Sequence, residues 1–165
     1  MIAANRDALL VYVADLVERL DSFALTLLPP DDADTVTLGL ESDGSLVVDL
    51  QWRFPSAPRA QDTDLEIFER WAPAGTGRWV RSEYRYELRH HELQYRRAYH
   101  RHHEAFFVAA HDVATHEHCE STLGVATCDH YAGDPVRDAL DGAERLYGLW
   151  LTGARPDCST LRCLG

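Results

Sequence analysis

VTLGLESDGSLVVDLQWRF, Val36 to Phe54, is the stretch whose reading decides the fold class. Val36, Leu38 and Leu40 alternate with Thr37 and Gly39, and Leu46, Val48, Leu50, Trp52 and Phe54 alternate again after Ser42-Asp43-Gly44-Ser45. Period two is the signature of a strand with one buried face. Asp-Gly tolerates positive φ and so predicts a tight two-residue turn between the two strands.

The same period continues beyond this hairpin. A strand is expected around Leu65–Trp71, a turn over Pro73–Gly77, and two further strands over Trp79–Arg89 and Leu93–His100 with Arg89–Glu92 as their turn. Ala105–Ala110 (AFFVAA) reads as a buried strand running on through Thr115. At both ends the period changes to 3.6. Leu9, Val13, Leu16, Val17, Leu20, Ala24 and Leu27 predict an amphipathic helix from Asn5 to Leu28, closed by Pro29 and Pro30. Val136, Ala139, Leu140, Ala143, Leu146, Tyr147 and Trp150 predict a second, capped by Asp134 with Pro135 at its first position and stopped at Gly153. The expected fold is α+β, with an N-terminal helix, an antiparallel meander of about six strands and a C-terminal helix. It divides into a helix over 1–30, a core over 34–152 and a Cys-containing tail over 153–165.

Charge narrows the search for chemistry. All 16 cationic side chains are Arg, set against 27 Asp and Glu, for a net charge of -11. This composition resembles that of haloarchaeal cytosolic proteins, and the resemblance implies a cytoplasmic location in concentrated salt. There the Debye length falls to about 3 Å at 1 M and net charge steers little. Against the acidic background, residues 78–103 carry seven Arg and three acids, and all nine His lie between His90 and His130. The run Ala8–Ala14 is apolar but bracketed by Asp7 and Asp15, too short for a membrane span and unlike a signal peptide. Four Cys, at 119, 128, 158 and 163, are too sparse for a disulfide scaffold and read as thiols or metal ligands.

Two constellations stand out. His116-Glu117-His118-Cys119-Glu120 precedes Cys128-Asp129-His130. Residues two apart on a strand share a face, so a hairpin centred near residue 123 would set His118 opposite Cys128 and His116 opposite His130. These four side chains could then hold one zinc ion, with Cys119 in place of one His as an alternative set. A closed ligand set would make the ion structural, and an open position would let Glu117 or Glu120 serve as base.

The second is the Arg/Tyr/His stretch. Arg85, Arg96 and Arg97 suit phosphate, Tyr95 and Tyr99 suit stacking on bases, and His100, His102 and His103 suit acid–base catalysis, as in a metal-free ribonuclease. A sheet face whose Arg pair with Glu83, Glu87 and Glu92 while tyrosines fill the core is the competing reading.

The order of a hairpin leading to Gln51-Trp52-Arg53, then Glu83-Tyr-Arg-Tyr-Glu-Leu88, Leu93-Gln-Tyr-Arg96, the His-rich segment His100–His103 and a C-terminal amphipathic helix resembles the TumE-type toxin family of toxin-antitoxin systems. The resemblance runs over roughly 47–151. It implies an RNA-directed toxin bound by an antitoxin. The family's Tyr-Asp-Asn-like turn and single His-x-His are replaced here by Tyr99-His-Arg-His102 or His116-Glu-His118, without the Asp-Asn. Expected partners are therefore RNA, an antitoxin or other protein, and a second copy of the chain, with no membrane. A non-enzymatic zinc-stabilised binding module is the alternative.

Overall fold

Antiparallel pairing of chain neighbours builds the sheet. The computed structural model describes residues 3–23, 26–27, 36–53, 63–102, 105, 109, 115–125, 131–132, 136–154, 158 and 162–163. Its strands are β1 (Ala3–Asn5), β2 (Thr26–Leu27), β3 (Val36–Leu40), β4 (Leu46–Arg53), β5 (Thr63–Pro73), β6 (Arg78–His90), β7 (Tyr95–Arg101), β8 (Thr115–Glu120), β9 (Tyr131–Ala132) and β10 (Arg162–Cys163). The helices are α1 (Arg6–Ser22) and α2 (Ala139–Thr152). β3 to β8 form a six-strand meander in chain order, β9 and β10 extend it past β8, β2 joins β4 beside β3, and β1 pairs with the start of β6. This is the expected α+β layout, and no helix is long and apolar enough to cross a membrane.

The register assigns every strand residue a face. Val48, Leu50 and Trp52 lie beside Glu69, Ile67 and Leu65, which lie beside Tyr84, Tyr86 and Leu88. That face is buried under α1, through Leu9, Leu16 and Leu20, and under α2, through Ala139, Ala143 and Leu146. Gly142 is needed for the approach of α2: a Cβ there would sit 2.4 Å from Cδ2 of Tyr86.

Several boundaries differ from the sequence reading, each for a local reason. The β3–β4 turn is not two residues long. Glu41 N–H donates to Ser45 O (2.8 Å) and Gly44 N–H to Glu41 O (3.0 Å), with Gly44 at φ 83°, so Ser42–Gly44 form a three-residue loop with a left-handed third residue. α1 ends at Ser22, before Leu28, and Thr26–Leu27 turn back to pair with Arg53 and Trp52. The β6–β7 turn falls at His91–Gln94, two residues later than expected, with Gln94 at φ 54°. α2 is capped by Asp138 Oδ1, which accepts from Asp141 N–H at 2.9 Å, and not by Asp134; Gly153 does close it, at φ 67°. The expected strand over 105–115 is also corrected. The two described positions between 103 and 114, Ala105 and Ala109, are helical and exposed, and the rest of 106–114 lies outside the described residues. Thr115 opens β8; a short apolar run fits either period. The 153–165 segment contributes Cys158 to a disulfide and β10 to the sheet, so it is not a free tail.

Candidate metal centre

β7 lies between β6 and β8, and its register sets the site. Arg85, His100 and His116 oppose one another across the three strands, as do Glu87, Ala98 and His118, and as do Arg89, Arg96 and Glu120. All nine lie on the face away from the helices, because their neighbours Tyr86, Tyr99 and Cys119 are on the core face. Ala98, fully buried, brings only a methyl group to the middle of this grid. Into that gap the rings of His100 and His118 approach diagonally, with centroids 4.5 Å apart.

The result is a cluster of imidazoles. His100, His116 and His118 each offer a ligand atom within 4.8 Å of the other two. His116 Nε2 and His118 Nε2 are 2.7 Å apart. Two ring nitrogens so close share a proton, one imidazole donating N–H to the other, so an ion would have to replace that proton and open the pair. Around tetrahedral zinc with Zn–N of about 2.0–2.1 Å, nitrogens stand about 3.3 Å apart, so the three atoms would converge with shifts of about 1–1.5 Å. His102, one residue past the end of β7, lays its ring against His116 at 4.8 Å and 28°.

The electrostatics favour neutral imidazole at His100. Burial lowers its pKa most; Glu87 acts in the opposite sense, and Arg96 and Arg85 lower it further. Glu87 Oε2 lies 3.6 Å from His100 Nε2 and 2.7 Å from Arg96 Nη2, and Arg89 pairs with the other oxygen. Burial opposes ionisation of Glu87, but His100, Arg96 and Arg89 outweigh it and hold the carboxyl well below its usual range.

The expected site residues are divided by this geometry. Arg85 and Arg96 share the His face, but Arg85 is bound by Glu66, and Arg96 by Glu87 and by Glu120 at 2.5 Å. Adjacent residues on a strand face opposite ways, so Arg97, Tyr95 and Tyr99 lie on the helix face, where the tyrosines are buried and Arg97 pairs with Glu117. Of the carboxylates expected to pair with these Arg, Glu87 does so; Glu83 lies 3.4 Å from Arg70 instead, and the other partners are Glu66 and Glu120 on the His face and Glu117 on the helix face.

His103, Cys128 and His130 lie outside the described residues. In the same hairpin the one described pair between β8 and β9 is Glu117 with Tyr131, where a turn centred on residue 123 would pair Glu117 with position 129. Cys119 is withdrawn as a ligand: it forms a disulfide with Cys158, their Cα atoms 5.3 Å apart, on the helix face. The free thiols expected at both positions are therefore corrected.

One link and one residue escape the sequence reading although a signal exists for each. His100 is expected with His102 and His103 as an acid–base group, apart from His116 and His118, whereas the middle strand of a meander has neighbours on both sides and His116-x-His118 could face either. Glu69 falls in phase with Leu65, Ile67 and Trp71, which marks a carboxylate on the core face. It accepts from Tyr12 Oη (2.9 Å), Tyr86 Oη (2.5 Å), Arg81 Nη1 (2.9 Å) and Trp71 Nε1 (3.0 Å). Tyr12 Oη in turn accepts from Ala139 N–H at 3.0 Å, joining both helices to the sheet. In comparisons with known proteins, no family model, no curated protein and no solved structure matches this chain.

Proposed function

We propose that the protein is a metal-binding module that holds one divalent transition-metal ion, zinc foremost, through His100, His116 and His118. The observation that carries this reading is the convergence of three ring nitrogens from two adjacent strands within 4.8 Å. Imidazole is a zinc ligand in its neutral form, and the buried setting of His100 supplies that form. Glu87, braced by Arg89 and Arg96, stands 3.6 Å from His100 Nε2, the kind of outer carboxylate that commonly accompanies metal-bound imidazoles. Three protein ligands leave a fourth position for His102 or water. An RNA-directed toxin activity has less support, since Arg85 and Arg96 are already occupied by carboxylates and Arg97, Tyr95 and Tyr99 face the core. A cytosolic location is weakened by the Cys119–Cys158 disulfide, because such bonds persist mainly in oxidising compartments.

Calorimetric titration of zinc into tag-free, chelator-treated protein tests the reading. We expect one equivalent per chain, with affinity lowered at least about tenfold in His116→Ala and His118→Ala and unchanged in His91→Ala, whose ring pairs with Asp64 elsewhere. Cobalt should give the intense visible bands of a four-coordinate site. Uptake below about a tenth of an equivalent, or equal uptake by the His116 and His118 variants, would remove the proposal.

A further inference from the structure

The opposite edge of the sheet poses a separate question. Among the described residues β3 pairs only with β4. Hydrogen-bonded pairs alternate along an antiparallel ladder. With Glu41 bonded to Ser45, the pairs that bond to β4 are Gly39–Val47 and Thr37–Asp49. The N–H and C=O groups of Val36, Leu38 and Leu40 therefore point away from β4, along an edge that no strand among the described residues occupies. Edge strands are ordinarily guarded by charge, proline or a bulge; Val36-Thr-Leu-Gly-Leu40 has none of these. Leu38 and Leu40 are 46% and 69% exposed, and Leu10 and Val11 of α1 are 45% and 60% exposed. Leu10, Leu38 and Leu40 line one groove with Leu9, Leu46 and Arg6.

We infer that β3 is a homodimer interface, in which two copies pair antiparallel about a twofold axis at Leu38 and continue the sheet from one protomer into its partner. The occupant is a second copy because the strand is complementary to itself. Reversed about Leu38, it sets Leu38 against Leu38, Val36 against Leu40 and Thr37 against Gly39. Each of the outward-pointing backbone groups then meets an outward-pointing group of the other copy, which is the condition for a continuous ladder. Apolar residues oppose apolar ones, and Gly39, whose Cβ position has nothing within 4 Å, leaves room for Thr37. An axis normal to the sheet keeps both helix layers on one side, so the apolar groove beside each β3 is covered as the edges join. Such a face is isologous and closes at two copies. The strand itself carries no charge, and Glu41 at its end is held by Arg70.

Light scattering on the full chain after size exclusion, in about 1 M salt to screen the -11 charge per copy, measures the assembly. The expected mass is twice 18.7 kDa, falling by half in Leu38→Arg and in Leu40→Arg with the far-ultraviolet circular dichroism unchanged. Leu151→Arg, an exposed site on α2, should stay dimeric. Because Leu40 is more than two-thirds exposed, its variant remains informative if Leu38→Arg fails to fold. A wild type that is monomeric at about 100 μM, where a typical interface would be populated, overturns the inference. So does a dimer that survives Leu40→Arg.

Discussion

A carboxylate sealed among aromatic rings is affordable only if every lone pair is used. Glu69 meets that condition through Tyr12, Tyr86, Arg81 and Trp71. The same burial, together with the negative charge of Glu69, raises the pKa of Tyr12 and Tyr86 far above the ordinary phenol value. A phenol whose folded pKa is raised contributes stability below its unfolded pKa of about 10 and loses it as pH climbs through the folded value. Burial raises Tyr84 and Tyr99 as well, so phenolate absorbance should show at least two tyrosines, Tyr12 and Tyr86, that fail to ionise until the chain unfolds in alkali. Tyr12→Phe deprives Glu69 of one donor and Ala139 N–H of its acceptor, and we expect a loss of about 1–3 kcal/mol in urea unfolding at neutral pH. A cost indistinguishable from zero would mean that water takes over both bonds.

Individual elements were legible to different degrees. The alternation from Val36 to Trp52 and from Leu65 to Trp71 yields strands of the expected phase, because burial of one face is a period-two demand that a sequence must display. Turns were less legible: the Asp43-Gly44 dipeptide suits a two-residue loop as well as the three-residue loop that forms, and only the pairing of Glu41 with Ser45 decides between them. Half of the site was readable in His116-x-His118. The other half, His100, depended on which neighbour β8 meets, and strand order is a tertiary property. The disulfide was illegible for the same reason, since Cys119 and Cys158 lie 39 residues apart. That loop length corresponds to about 4 kcal/mol of lost chain entropy in the unfolded state. Cys158→Ser should lower the urea midpoint accordingly, and wild type in reductant should match it; a midpoint insensitive to reductant would contradict a stabilising role.

The charge of the whole molecule is a separate lever. Like charges summing to -11 repel at low ionic strength, while the buried pairs Arg81–Glu69 and Arg97–Glu117 are screened far less than exposed groups. Stability should therefore rise with salt. Between low salt and about 1 M we expect the thermal midpoint to increase by about 3 °C or more, the shift that about 1 kcal/mol gives at this size; a falling midpoint would show that surface ion pairs outweigh repulsion. Topology adds a consequence in time. β3 to β8 zip between neighbours, but β1, which leads directly into α1, pairs with Arg78–Val80. During synthesis the first helix emerges with its apolar stripe and then waits for some seventy residues before its sheet exists, several seconds at about 5–20 residues per second. The newborn chain thus carries an uncovered helix while the hairpins it will cover are still being made.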